Sequence, residues 1–125
     1  MEDIAYLEDH DFDSRGKLLI SPGRPVFVFV YASWCPYSMD TLSSFQEFSK
    51  DKGMEVLCAA IQVDGERYSE RLLGKRIKKI MPGLRGYPEF VLYKGGLYSQ
   101  DLKKPVEIKD RNIESIYNIF KSLNK

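Results

Sequence analysis

Cysteine is scarce in this chain: 125 residues carry two, Cys35 and Cys58, and a single histidine, His10. Two thiols 23 positions apart cannot build a disulfide framework, and one histidine leaves no zinc-ligand spacing. Any redox chemistry therefore has to come from one site. Net charge is nearly absent as well, with 19 Lys and Arg against 18 Asp and Glu and a pI near 7.7. That removes any global signal for nucleic acid or acidic membranes, and neither is expected as a partner. No apolar run is long enough to span a bilayer, and the first twenty residues hold six acids in place of a secretory leader. The expected setting is reducing, intracellular and cytoplasmic.

What is present is ordinary globular material, 43% hydrophobic with 13% aromatic residues, enough for one domain over residues 1–125 and an expected monomer. Val26 to Tyr31 is an unbroken β-branched and aromatic run, which suits a strand covered on both faces and hence a central one. After Ala32 and Ser33 the spacing turns helical, with Leu42, Phe45 and Phe48 on one side. Pro36 falls in the first turn, where a missing N–H costs nothing. Cys35 then sits at the helix N-terminus, where unpaired N–H groups and the positive end of the helix dipole favour a thiolate.

At these residues, Trp34-Cys35-Pro36-Tyr37-Ser38, the chain resembles the thioredoxin superfamily, whose active site is a Trp-Cys-x-x-Cys turn between strand and helix. The inner Cys-Pro-Tyr-Ser is also similar to the dithiol glutaredoxin tetrapeptide with its last cysteine replaced by serine. The rest of the chain agrees in order. Ile4 to Leu7 reads as a strand and Glu8 to Asp13 as an irregular, aspartate-capped helix. Ser21 to Pro25 is a turn-rich connection. Pro36 to about Asp51 is the main helix, stopped by Lys52-Gly53, and Met54 to Val63 is a second buried strand parallel to the first. Glu66 to Ile80 is a helix with Tyr68, Leu72, Leu73, Ile77 and Ile80 as its core face. Phe90 to Tyr93 is a strand, turned by Lys94-Gly95-Gly96 into Leu97-Tyr98, and Ile113, Ile116, Tyr117, Phe120 and Leu123 mark a final helix. The order βαβαβαββα matches the thioredoxin fold: an α/β protein whose central mixed sheet has parallel strands, a C-terminal antiparallel hairpin and helices on both faces. Leu84-Arg85-Gly86-Tyr87-Pro88 is similar to the family's loop before its cis-proline, and Val63-Asp64 to its strand end.

The resemblance implies a thiol-disulfide oxidoreductase acting through Cys35 on protein disulfides or glutathione mixed disulfides, with no bound cofactor or metal and glutathione as an external reductant. Ser38, three residues on, faces the same side of the helix. A hydroxyl there can hydrogen-bond a thiolate but cannot attack a disulfide, so the two-thiol cycle does not close within the chain. Three readings stay open: a monothiol resolved by glutathione or a client cysteine, a domain that holds clients without turnover, and a Cys→Ser replacement made to trap a mixed disulfide. The alternative outside catalysis is a redox-silent protein-binding module. Cys58, inside the apolar run Val56 to Ile61, reads as inert packing. Trp34, Pro36, Tyr37, Tyr87 and Pro88 are the expected client contacts, with the Tyr87-Pro88 bond cis.

Two departures from the family pattern accompany the missing thiol. Phe29 stands six residues before Cys35, where many thioredoxins bury an aspartate, and Ala60 stands where its partner lysine often lies. Arg71, Lys75, Arg76, Lys78, Lys79 and Arg85 form a cationic stretch without an acid. It reads first as a solvated helix end that complements the dipole, and second as a docking patch for an acidic client or for the carboxylates of glutathione.

Overall fold

All six residues of the strand β2, Val26–Tyr31, are buried, as its unbroken apolar run requires. The structure is a computed structural model that describes residues 4–20, 23–53, 55–81, 89–94, 97, 98, 113, 117 and 118, with backbone alone at 36–39, 97 and 98. Around β2 stand β1 (Ile4–Tyr6), β3 (Leu57–Gln62), β4 (Glu89–Lys94) and β5 (Leu97–Tyr98), in the sheet order β1-β3-β2-β4-β5. β3 runs parallel to both β1 and β2, whereas β4 is antiparallel to β2 and pairs with β5 as a hairpin. This is the mixed sheet that the sequence order implies.

The alternation along β2 divides the core between two faces. Phe27 and Phe29 point to one face, where Phe27 meets the rings of Phe45 and Phe48 from the helix α1 (Pro36–Lys52), Phe90 from β4, and Tyr117, at centroid distances of 5.1 to 5.8 Å. Their register partners Cys58 and Ala60 on β3 share that face. The opposite face carries Val26, Val28 and Val30, and there Phe12 packs edge-on against Tyr93 at 5.8 Å. The second helix α2 (Tyr68–Ile80) turns Leu73, Ile77 and Ile80 inward. Gly74 lets this helix approach closely, because a Cβ there would collide with the backbone carbonyl of Val63.

Several elements differ from expectation for local reasons. Between β1 and β2 the short, irregular helix expected in Glu8 to Asp13 is a 3-10 turn, Asp9–Asp11, with Glu8 and not an aspartate at its N-cap. Asp13 ends it by accepting the N–H groups of Arg15 and Lys17, each at 2.9 Å, and Gly16 turns the chain with φ 86° so that Phe12 and Leu18 bridge. Tyr68, expected on the core face of α2, is 66% exposed, and Glu70 takes an inward position instead. The Glu70 carboxylate accepts the Arg67 N–H at 3.2 Å, so capping displaces the aromatic from the buried face. α1 does stop at Gly53, but with right-handed backbone, φ −61°, and not with the left-handed cap glycine often supplies. β3 begins at Leu57 because the Glu55 and Val56 N–H groups still bond back to Lys52. Of the final helix, Ile113, Tyr117 and Asn118 are described and helical, with Ile113 and Tyr117 buried; Ile116, Phe120 and Leu123 lie outside the described residues.

Phe27 is fully buried and joins both helical elements of its face to the sheet. Phe27→Ala should therefore cost about 3–5 kcal/mol of unfolding free energy in urea titration. Leu19→Ala, at a residue 56% exposed, should change it by no more than about 0.5 kcal/mol.

Candidate active site

β2 ends at Tyr31, and four residues later Cys35 is the N-cap of α1, in extended conformation with φ −87° and ψ 116°. Pro36 opens the helix as the sequence implies. The Cys35 N–H donates to the Ala32 carbonyl at 3.2 Å, which closes the connecting residues into a turn. Cys35 is 8% exposed, so it is recessed, while its sequence neighbour Trp34 is 70% exposed. Ser38 lies in the first turn of α1, three residues beyond the cysteine. The backbone alone is described for Pro36, Tyr37 and Ser38, and Tyr87 and Pro88, with the expected cis bond, lie outside the described residues.

The turn is tied to the neighbouring strand by a contact not singled out in the sequence. Asp64, two residues past β3, accepts the Ser33 N–H at 2.9 Å and its hydroxyl at 2.5 Å. The Gln62 amide donates to the same carboxylate at 3.4 Å, while the Tyr31 hydroxyl donates to the Gln62 side-chain oxygen at 3.2 Å. Tyr31 and Gln62 are register partners, so Ser33 and Asp64, each two residues further, leave the sheet side by side. Partial burial opposes ionisation of Asp64, but the bonds from Ser33 and Gln62 outweigh it and hold the carboxyl below its ordinary range. The result is a fixed anion bracing the turn that carries Cys35.

Beneath this turn the two departures from the family pattern meet. Phe29 and Ala60 are register partners and both fully buried. The Phe29 ring lies 4.9 Å from Phe90, 5.1 Å from Tyr31 and 5.5 Å from Phe45. Packed aromatic rings occupy the position where a buried carboxylate and ammonium would otherwise face each other.

Cys58 sits elsewhere. It pairs in register with Phe27 near the start of β3, is 1% exposed, and its thiol is pushed up to about 12 by burial, with Arg24 drawing it partly back. Neither cysteine is in a disulfide, and among the described residues no group of His, Cys, Asp or Glu could hold a metal ion. No helix among the described residues is long and apolar enough to cross a membrane.

The cationic stretch is partly structural. Arg71 donates to the Gly65 and Glu66 carbonyls at 2.9 and 2.6 Å, and Arg76 bonds the Asp9 carboxylate at 2.7 Å and the Asp13 carbonyl at 3.1 Å. Lys75, Lys78 and Lys79 are exposed, the last two in the final turn of α2, and Arg85 lies outside the described residues.

A mixed sheet flanked by helices, with a cysteine at the N-cap of the helix that follows its central strand, is the arrangement of the thioredoxin fold. No protein-family profile matches the sequence. A curated protein of Invertebrate iridescent virus 6, named as thioredoxin-like, is 28% identical over 128 residues, spanning 92% of this chain and 90% of its own. Among solved structures, the long form of thioredoxin f from spinach chloroplast superposes with a TM-score of 0.64 at 12% identity, over 98% of this chain and 87% of that one. Mitochondrial thioredoxin 3 of Saccharomyces cerevisiae gives 0.59 at 19% identity, over 95% and 94%. A chain from the complex of ferredoxin:thioredoxin reductase with thioredoxin f2 gives 0.58 at 14% identity, over 98% and 96%. These likenesses show that the chain has the thioredoxin fold, and its curated relative is one named as thioredoxin-like.

The Asp64 brace has a pH signature. Its carboxyl is lowered in the folded chain, so its stabilisation is fully present above the ordinary value of 3.8 and is lost as pH falls through the folded value. Asp64→Asn should cost about 1 kcal/mol near neutral pH, discounted for its exposure. In urea titrations the difference between variant and parent should shrink to nothing in acid.

Proposed function

We propose that this chain is a monothiol thiol-disulfide oxidoreductase of thioredoxin type, with Cys35 as its nucleophile. The observation that carries the reading is the position of Cys35 at the N-cap of a proline-opened helix, at the end of the buried central strand and beside exposed Trp34. Unpaired N–H groups at a helix N-terminus can hydrogen-bond a sulfur held there. In the proposed reaction the Cys35 thiolate attacks one sulfur of a client disulfide, and a Cys35–client disulfide forms. The second client sulfur leaves as a thiolate and takes up a proton. An external thiol, glutathione or another client cysteine, then attacks the client sulfur of that mixed disulfide. Cys35 departs as a thiolate, and the client sulfur is left in a disulfide with the attacking thiol. With glutathione, a second glutathione releases it, so that two glutathiones supply the two electrons and end as their disulfide; with another client cysteine, the client disulfide is rearranged without net reduction.

Ser38 acts in this scheme as a hydrogen-bonding neighbour of the sulfur and not as a resolving group. Phe29 and Ala60 support the reading, because a chain without a second thiol has no use for a buried carboxylate to deprotonate one. Trp34, Pro36, Tyr37, Tyr87 and Pro88 form the client surface, the working state is a monomer, and the setting is a reducing cytoplasm. A protein partner fits the complex of ferredoxin:thioredoxin reductase with thioredoxin f2, a chain of which is among the structural likenesses. One observation favours a second reading, that of a redox-silent binding module: Cys35 is only 8% exposed.

Alkylation separates the two. Under native conditions iodoacetamide should modify Cys35 at least about tenfold faster than Cys58, read by peptide mass spectrometry. Equal, slow rates would leave the binding module as the correct reading. With a protein disulfide substrate the parent chain should accumulate a mixed disulfide at Cys35, and Ser38→Cys should shorten its lifetime and raise insulin disulfide reduction. An unaltered lifetime and turnover would refute the two-thiol logic.

A further inference from the structure

A second site lies at the other end of the sheet. A cavity of about 320 Å³ opens between the residues that lead into β2, the last turns of α1 and the start of β3. Its volume is within the range of small-molecule pockets, roughly 300–1,000 Å³. Its described walls differ in character: Arg24 and Lys50 supply two cations with no acid among them, while Val56, Leu57 and Cys58 supply an apolar side.

Arg24 is the informative residue. The Pro25 carbonyl accepts the Leu57 N–H at 2.9 Å, which pins the backbone beside Arg24 to the start of β3. The Arg24 side chain is half-buried, and its Nε is buried without a hydrogen-bond partner among the described residues. A buried guanidinium N–H left unpaired is uncommon enough to need an account, and a carboxylate or phosphate matches its geometry. Lys50, exposed in the last turn of α1, also complements the helix dipole, but that leaves Arg24 unexplained. Cys58 brings no competing charge, since burial keeps its thiol neutral.

We propose that this pocket binds a small organic oxyanion, a carboxylate or phosphate on a short apolar body, with Arg24 and Lys50 on the charged head and Val56, Leu57 and Cys58 along the body. The site is separate from the thiol. β2 lies between them, and its six residues span about 20 Å.

The test uses the full chain at fixed ionic strength, titrated calorimetrically with phenyl phosphate, benzoate and, as the neutral analogue, benzyl alcohol. At least one anion should bind saturably at one site, and whichever does identifies the head group; the alcohol should not bind over the same range. Arg24→Met and Lys50→Met should each weaken that binding about tenfold, with Arg24→Lys retaining part of it. Amide shifts in NMR should gather at residues 24 and 56–58 and spare 32–35. Lys50 is on the exposed face of α1, so its variant reports even if Arg24→Met folds poorly. Failure of both anions to saturate, equal binding of the alcohol, or unchanged affinity in Lys50→Met and Arg24→Lys would overturn the proposal. None of these readouts passes through Cys35, so their failure leaves the thiol chemistry untouched.

Discussion

The burial of β2 on both faces is the constraint on which the rest depends. A strand with all six side chains buried needs a paired neighbour on each edge and a covering layer on each face. β3 and β4 supply the edges. The aromatic cluster of Phe45, Phe48, Phe90 and Tyr117 closes over Phe27 and Phe29, and α2 with the Phe12 segment lies on the valine side. The two ends of such a strand are the first places where the chain can meet water. Cys35 is four residues past one end, and Arg24 is two residues before the other. Both candidate sites thus follow from one buried run.

The parts of the fold legible in the sequence were those in which hydrophobic burial acts alone. Val26 to Tyr31, the Leu42, Phe45 and Phe48 stripe, and the Leu73, Ile77 and Ile80 stripe all lie where their periodicity puts them. Where polar bonds decide, the pattern misled. Tyr68 fits the apolar spacing of α2, yet the Glu70 cap leaves it in solvent with the Arg71 guanidinium 5.8 Å above its ring. Glu8 to Asp13 contains enough acids to cap a helix, and those acids instead cap a single turn, receive the Arg15 and Lys17 N–H groups and hold Arg76.

The candidate site shows the same division. The position of Cys35 between strand and helix could be read from Val26 to Pro36 alone, since a buried run followed by a proline-opened helical period fixes the junction. The brace could not be read so directly, because Ser33 and Asp64 meet only when β2 and β3 pair in one register, with a constant offset of 31 residues. The sequence pattern starts the second strand at Met54 and not at Leu57, so this offset does not follow from it. The Arg24 pocket needed still more, for it joins three elements and its sign comes from side chains that look like ordinary surface cations in sequence.

Phe29, Ala60 and Ser38 are best understood together. A buried aspartate in a central strand carries a large desolvation cost, which is tolerable where it is paired or where it moves a proton in catalysis. With serine at position 38 no second thiol needs deprotonating, so that return is gone while the cost would remain. A phenyl ring reverses the balance: Phe29 is fully buried and packs against Tyr31, Phe45 and Phe90, adding apolar contact where a charge would have to be compensated. Alanine opposite it completes the change, because Ala60 brings no ammonium into the same layer and leaves room for the ring. Cys35 sits recessed at the helix terminus, and the layer of Phe29 and Ala60 beneath its turn is apolar and stabilises the core, with no ionisable side chain at those two positions.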